Sequence, residues 1–374
     1  MRSFTFRQWL ILLTVQFATL LFGATMTSVA VILPQMKGAL SATQDQVSWI
    51  ITFNLVATAI ATPLTGWLAS KFGWRNLMVG SIIGFTTFSV LAGTADSLEI
   101  MLITRVAQGF VGAPIFPLGQ AIILASFSRS QHRFVLMAWG VGGVMGPILG
   151  PLFGGLVAEL FNWRWAFYMI LPMGIIAALF AFAALSNEEK GSAHKFDYLG
   201  FGLIAIAIGA TQLMFDRGQR LDWLESYEIQ LELLLAVVFF YLFMVHILTS
   251  RHALFDPATF KDRNFTIGVI LATIMGALQF TPMVLFPPLL QELRGYPDAI
   301  VGYLISARGM GNFLSFFFVV QFTRFNPRLC LFFGLALQSI AALWMASLDI
   351  NMTTSDVFWT NILHGIGFGT AYTP

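Results

Sequence analysis

The chain has 374 residues, of which 57% are hydrophobic and 10% charged, with a mean hydropathy of +0.78. A soluble domain carries roughly 25% charged residues, so no soluble fold of this length hides so much apolar surface, and the chain is an all-α polytopic membrane protein. The net charge of +2 says little about partners; no basic patch interleaved with aromatics points to nucleic acid, and the single cysteine, Cys330, excludes an intrachain disulfide and a cysteine metal cluster.

Arg2 and Arg7 precede a first apolar run without a small-residue cleavage site, which reads as a retained span rather than a signal peptide. A span needs about 20 mostly apolar residues. About twelve segments qualify, at roughly 9–33, 47–68, 77–95, 99–124, 134–158, 165–185, 198–215, 229–249, 265–288, 299–321, 329–348 and 356–374. With the N-terminus in the cytosol, thirteen of the twenty Lys and Arg residues fall in inner segments and five in outer ones. Arg105 and Arg308 lie inside spans. This asymmetry supports the orientation, because a missed helix inverts every later loop. The polar stretch 186–197 is the longest inner connection and a hinge between two blocks. The last span starts near Asp356 and runs to Pro374 within its apolar pattern, so the chain is expected to be truncated at its C-terminus.

The fifth span carries G-x-x-x-G-P-x-x-G-P-x-x-G-G, with Gly142, Gly146, Pro147, Gly150, Pro151, Gly154 and Gly155. Glycines every four residues form one slowly drifting stripe on a helix of 3.6 residues per turn. A stripe without side chains admits a neighbouring helix closely, and each proline removes a backbone donor and bends the helix. Such a span suits packing that changes during transport; a close-packed pair that never moves gives the same spacing.

This arrangement resembles the antiporter motif of drug-exporting transporters of the major facilitator superfamily. Other stretches are similar to the same family in the expected order. They are Gly66-Trp-Leu-Ala-Ser70-Lys71-Phe-Gly73-Trp-Arg75 after the second span and Arg105-Val-Ala-Gln108-Gly109-Phe-Val-Gly112 in the fourth. Trp163-Arg164-Trp165-Ala-Phe167-Tyr168, Lys261-Asp-Arg263-Asn264-Phe265 and Leu290-Gln291-Glu-Leu-Arg-Gly295-Tyr296 resemble its fourteen-span drug:proton antiporter branch. The resemblance implies an N-terminal six-helix bundle (1–185), a linker with two inserted helices (186–250) and the first four helices of a second bundle (251–374). It implies export of amphipathic or drug-like small molecules by proton antiport with alternating access, and no cofactor beyond the proton gradient. The implied partners are the substrate, the bilayer and, in a double-membraned bacterium, a periplasmic adaptor. Three positions depart from the branch: Thr25 stands where the first span usually has an acid, Ser70 replaces the loop motif's Asp, and Ile170 replaces an Asn.

Arg105 is the foremost coupling candidate, because a cation at span depth costs several kcal/mol unless it faces water or a partner. A structural tie to backbone carbonyls is the competing reading. Spans one to six hold no clear mid-membrane acid, so Gln108, Asn54, Thr25 and Thr27 are the available acceptors. Arg308 is a second candidate, with snorkelling to the outer surface as its alternative. Glu292 is expected to form a solvated pair with Arg294, and His246 and His364 to play hydrogen-bonded packing roles. Gly66, Ser70, Lys71, Gly73 and Arg75 form a cytosolic gate loop, weakened by the uncharged Ser70. An uptake carrier and a non-transporting sensor or inactive paralogue on the same scaffold are alternatives to the exporter. No catalytic triad, His-x-x-x-His or phosphate-binding G-x-x-x-x-G-K-[ST] stretch favours an enzyme or an ATP-driven pump.

Overall fold

A computed structural model describes residues 4–186, 196–250, 254, 257–322, 326–349 and 351–372. Arg2, Lys190, Lys195, Arg251 and Arg324, which enter the charge asymmetry, lie outside the described residues, as does most of the hinge stretch.

Among the described residues ten helices are long and apolar enough to cross a membrane: α1 Phe6–Ala39, α2 Gln44–Phe72, α3 Trp74–Gly93, α4 Leu98–Ser126, α5 Arg129–Leu160, α6 Trp165–Ala184, α7 Tyr198–Arg217, α8 Tyr227–Thr249, α9 Arg263–Leu293 and α11 Pro327–Ser347. Two more, α10 Asp298–Phe322 and α12 Thr354–Tyr372, are of similar length. They carry the polar residues Arg308 and Asn312, and Thr360, Asn361 and His364. These side chains are buried, so the polar faces are turned inward and not to lipid.

Local sequence explains the helix starts. Thr5 with Gln8, Thr43 with Gln46 and Ser128 with Gln131 form capping boxes before α1, α2 and α5. Asp262 accepts from the Asn264 and Phe265 amides at the start of α9, and Asn326 precedes Pro327 at the first turn of α11. Gly73 breaks α2 from α3 with φ 81°, a left-handed value that a side chain tolerates poorly.

The most enclosed helix is α1, which packs against α5, α6, α4 and α2. The pairs α2–α4, α3–α4 and α3–α6 complete this first group. In the second group α12 packs between α10 and α11, and α5 lies against both α1 and α10, so it is shared by the two groups. The helices α7 and α8 pair mainly with each other and touch the first group through α2. Arg217 of α7 bridges Glu228 and Glu232 of α8, and Arg220 lies over the Trp49 ring of α2 at 6.0 Å. At the other end of this hairpin, His246 meets both Asp197 oxygens at 2.8 and 3.0 Å while Asp197 caps α7 through the Gly200 amide. The packing role of His246 is therefore a polar one. Arg164, in the Trp163–Tyr168 stretch, donates to the Gly93 and Ala95 carbonyls at the end of α3 and stacks over Trp163 at 4.5 Å. That stretch is a helix-end clasp. Cys330 is buried.

Candidate functional site

The glycine stripe is the seam along which α5 packs on α1. Gly142, Gly146, Gly150 and Gly154 of α5 face Gln16, Gly23, Thr27 and Ser28 of α1 in turn. At Gly146 a Cβ atom would stand 2.8 Å from Gly23 Cα and 2.9 Å from the Ala24 nitrogen, which are backbone atoms with no rotamer to yield. Thr27 Oγ1 donates to the Gly146 carbonyl at 3.4 Å. The next glycine, Gly155, faces the opposite neighbour: it lies against the Asp298 carbonyl of α10, while Gly302 of α10 seats on the Pro151 carbonyl and Gly309 on Ile148. Pro147 and Pro151 both lie within the α5 helix. The motif therefore provides two smooth faces on one proline-containing helix, one for each helix group.

At the end of the molecule marked by Lys37, the two groups are tied by polar bonds. Gln291 of α9 donates to the Val31 carbonyl of α1 and to Asp298 Oδ1, both at 2.7 Å. Gln35 of α1 donates to the other Asp298 oxygen. Glu159 of α5 accepts from the Ala299 amide at 2.9 Å, and Lys37 pairs with Glu292 at 2.9 Å. The expected Glu292–Arg294 pair does not form. Lys37 reaches Glu292 from the other group, and Arg294 instead donates to the Met352 carbonyl at 3.1 Å. At the opposite end, Arg7 and Gln8 donate to the Ala184 and Ser126 carbonyls and stay within the first group. Among the described residues, the hydrogen bonds joining α1 and α5 to α9 and α10 all lie at the Lys37 end, which is closed.

Arg105 is fully buried between α4 and α2. Its Nε donates to the Ile50 carbonyl at 3.0 Å and its Nη1 to Gln108 Oε1, while the guanidinium lies 5.9 Å from the centre of the Phe167 ring. Asn54 clamps the same turn by donating to the Arg105 carbonyl at 2.7 Å. Gly109 lets the two helices approach, because a Cβ there would meet the Asn54 carbonyl. Arg105 Nη2 has no partner, and no carboxylate pairs with the guanidinium among the described residues. Thr25 does not join this cluster: its hydroxyl donates to the Leu21 carbonyl of its own helix at 2.8 Å. A hydroxyl one turn from an otherwise unpaired carbonyl lone pair satisfies itself locally, so it has no need of a distant cation.

Arg308 is also buried, at 4% exposure, and does not snorkel. It donates to the Gln279 carbonyl of α9 at 2.9 Å and to Asn361 Oδ1 of α12 at 2.8 Å. Both buried arginines thus cross-link helices within one group, and each neighbours an asparagine on the partner helix. The gate loop is elsewhere. Ser70 donates to the Trp67 carbonyl at 2.8 Å, Lys71 lies over the Trp67 ring at 4.8 Å, and Arg75 lies over Phe182 at 4.5 Å. Gly66 has open space around it. Trp67 packs on Phe196, which joins this loop to the start of α7.

The model of the Major Facilitator Superfamily matches residues 15–374. The chain belongs to this superfamily. Several multidrug exporters are similar to it along almost its full length. The fatty acid resistance protein FarB of Neisseria gonorrhoeae is 32% identical over 352 residues, 94% of this chain and 69% of that protein. The multidrug export protein EmrB of Escherichia coli K12 is 30% identical over 354 residues, with the same two coverages, and EmrB of Haemophilus influenzae is 31% identical over 368 residues, 98% of this chain and 72% of that one. The relatives agree with the branch that the motifs resemble, and the protein is a multi-pass transporter of the cytoplasmic membrane and not an enzyme.

Proposed function

We propose that the chain exports amphipathic or drug-like small molecules by proton antiport with alternating access. The observation that carries this reading is the position of α5, whose glycines face α1 on one side and α10 on the other. A rocking motion between two helix groups needs a smooth element common to both, and the glycine–proline helix supplies it. Closure at the Lys37 end then corresponds to the state open to the cytosol, with residues 1–185 and 251–374 as the two moving bundles and 186–250 as the insert. In a double-membraned bacterium the Lys37 end is the one that a periplasmic adaptor would meet. Arg105, Gln108 and Asn54 form a rigid cationic node in the first bundle, and Arg308 a second node facing α9 and α12. The activities for which the relatives are named, export of multiple drugs and resistance to fatty acids, fit an amphipathic substrate class.

The test is accumulation of amphipathic dyes in efflux-deficient cells, with a protonophore and Arg105→Ala alongside. Export predicts lower accumulation in cells carrying the parent chain, reversed by both treatments. Unchanged accumulation with the protein present in the membrane would sink the exporter reading.

A further inference from the structure

A proton antiporter needs a group that gains and loses a proton near neutral pH, and histidine is suited to that by its ordinary chemistry. Among the described residues the buried charged or imidazole side chains are Arg105, Glu232, Arg308 and His364. An arginine keeps its proton in proteins. Glu232 is tied to Arg217 in the α7–α8 hairpin, outside both helix groups. Asp298 serves the closure at the Lys37 end. His364 remains, inside α12 and only 1% exposed.

Its surroundings prepare one ring nitrogen. Pro282 has no N–H for the Leu278 carbonyl of α9 four residues earlier, and His364 hydrogen-bonds the Leu278 backbone there. His364 Nδ1 is buried without a partner, so the other ring nitrogen makes this bond. A carbonyl only accepts, so that nitrogen carries the hydrogen and Nδ1 keeps a lone pair. Arg308 of α10 donates to the adjacent Gln279 carbonyl, and the two bonds together clamp one turn of α9. Arg308 and His364 lie at the same level, since Gly365 packs directly on the Arg308 carbonyl. Arg308 is the charged group whose field acts on the ring. Between Arg263 and Glu292, α9 carries no charged side chain, and α11 meets α12 here with the uncharged Gln338 against Gly367.

We propose that His364 Nδ1 is the proton-binding site that couples transport, and that the molecule closed at the Lys37 end is its proton-free state. Loading adds a proton from water to the Nδ1 lone pair and makes an imidazolium; release returns the proton to water, and no other bond changes order. In the clamped arrangement the imidazolium would stand beside Arg308. Among the described residues no carboxylate pairs with either group, and a second uncompensated cation in one core is costly. Because the ring is enclosed, a proton reaches or leaves Nδ1 only when α9, α10 and α12 repack. Loading from the outer side therefore goes with release of the Leu278 turn, and return to the clamped form expels the proton towards the cytosol. Gln279 Oε1, buried without a partner on that turn, is an acceptor for the loaded ring. This assignment deepens the exporter proposed above and rests on that reading.

The experiment compares two fluxes of ethidium and rhodamine 6G in proteoliposomes of the full chain, with the membrane potential clamped at zero. One is accumulation against a dye gradient driven by an acidic lumen, and the other is downhill flux at equal pH. His364→Gln keeps an N–H donor for the Leu278 carbonyl but cannot titrate. It should lose the acid-driven accumulation and keep the downhill flux, a split that a purely structural role would not produce. Acid-driven accumulation equal to that of the parent overturns the proposal and leaves the exporter standing. Loss of both fluxes in a folded variant overturns it too. Should His364→Gln not fold, the parent decides. At a constant pH difference its accumulation should vary with absolute pH between about 5 and 8, where a histidine changes its charge, and a flat profile overturns the proposal. A parent that moves the dyes downhill but never against a gradient removes proton coupling and this site with it; a parent that moves neither dye removes the exporter as well.

Discussion

Adding one methyl group to α5 separates the hinge reading from simple glycine enrichment. In Gly146→Ala the new Cβ lies 2.8 Å from Gly23 Cα and 2.9 Å from the Ala24 nitrogen, where ordinary contact requires about 3.4–4 Å. Both obstacles are main-chain atoms, so α1 and α5 must separate by several tenths of an ångström. Overpacking of this kind costs about 1–3 kcal/mol. Gly143→Ala is the matched control. It lies one turn away on the same helix, its nearest neighbour is the Phe116 ring at 3.8 Å, and it gains helix propensity. The two variants have the same composition and opposite expected signs. Thermal unfolding of the detergent-solubilised protein should show Gly146→Ala melting about 1–2 °C lower per kcal/mol lost, with Gly143→Ala unchanged or slightly higher. Dye export should fall only in Gly146→Ala. Equal behaviour of the pair would refute the seating of α1 on the glycine stripe.

Asp298 accepts from Gln35 and Gln291 at once, one on each carboxylate oxygen. The amide introduced by Asp298→Asn keeps one accepting oxygen, and its NH2 is left facing a donor. Asp298→Asn should therefore weaken closure by about 1–3 kcal/mol, a population shift of about 5- to 150-fold. Spin labels at the exposed positions Asp45 and Asn351, in a Cys330→Ala background, should show a longer distance component in the variant; an unchanged distribution would remove the latch. Arg105→Ala leaves the Ile50 carbonyl and Gln108 Oε1 without their donor and opens a cavity, while Asn54 keeps the backbone carbonyl of residue 105, so the apparent melting temperature should drop by more than that of Gly146→Ala. Arg105→Lys, with a point charge in place of the fork, should fall between the parent and Arg105→Ala. Full stability of both Arg105 variants would show that the guanidinium is not a structural node.

Span number and the glycine–proline helix were legible because each leaves a one-dimensional signal: twenty apolar residues in a row, or a glycine at every fourth position. The helices α10 and α12 were also found from sequence, although they carry Arg308, Asn361 and His364 inside their spans. Those same residues turned out to be the ones that face each other. Thr25 shows where residue type misleads. Its position matched a usual acid, but a hydroxyl in a helix is satisfied by the carbonyl four residues back, and it needs no contact with Arg105. Glu292 shows the limit of proximity in sequence. Arg294 is two residues away, yet Lys37, 255 positions distant, is the partner, because the helix end at Leu293 points the two side chains apart.

The latch and the kink clamp were illegible for a more general reason: their partners are backbone groups or amides with no motif of their own. Gln35, Asp298 and Gln291 come from three helices, and only Gln291 lay in a recognised stretch. Pro282 has no N–H for the Leu278 carbonyl four residues earlier, and His364 hydrogen-bonds the Leu278 backbone there. This coupling makes the second group asymmetric in its response. A force that withdraws Arg308 or His364 frees α9 at a turn where the helix already lacks a bond, whereas withdrawing Arg105 frees no such turn in the first group. If the two buried arginines have different duties, the structural reason is that one binds α9 one turn before Pro282 and the other ties α4 to the Ile50 carbonyl of α2.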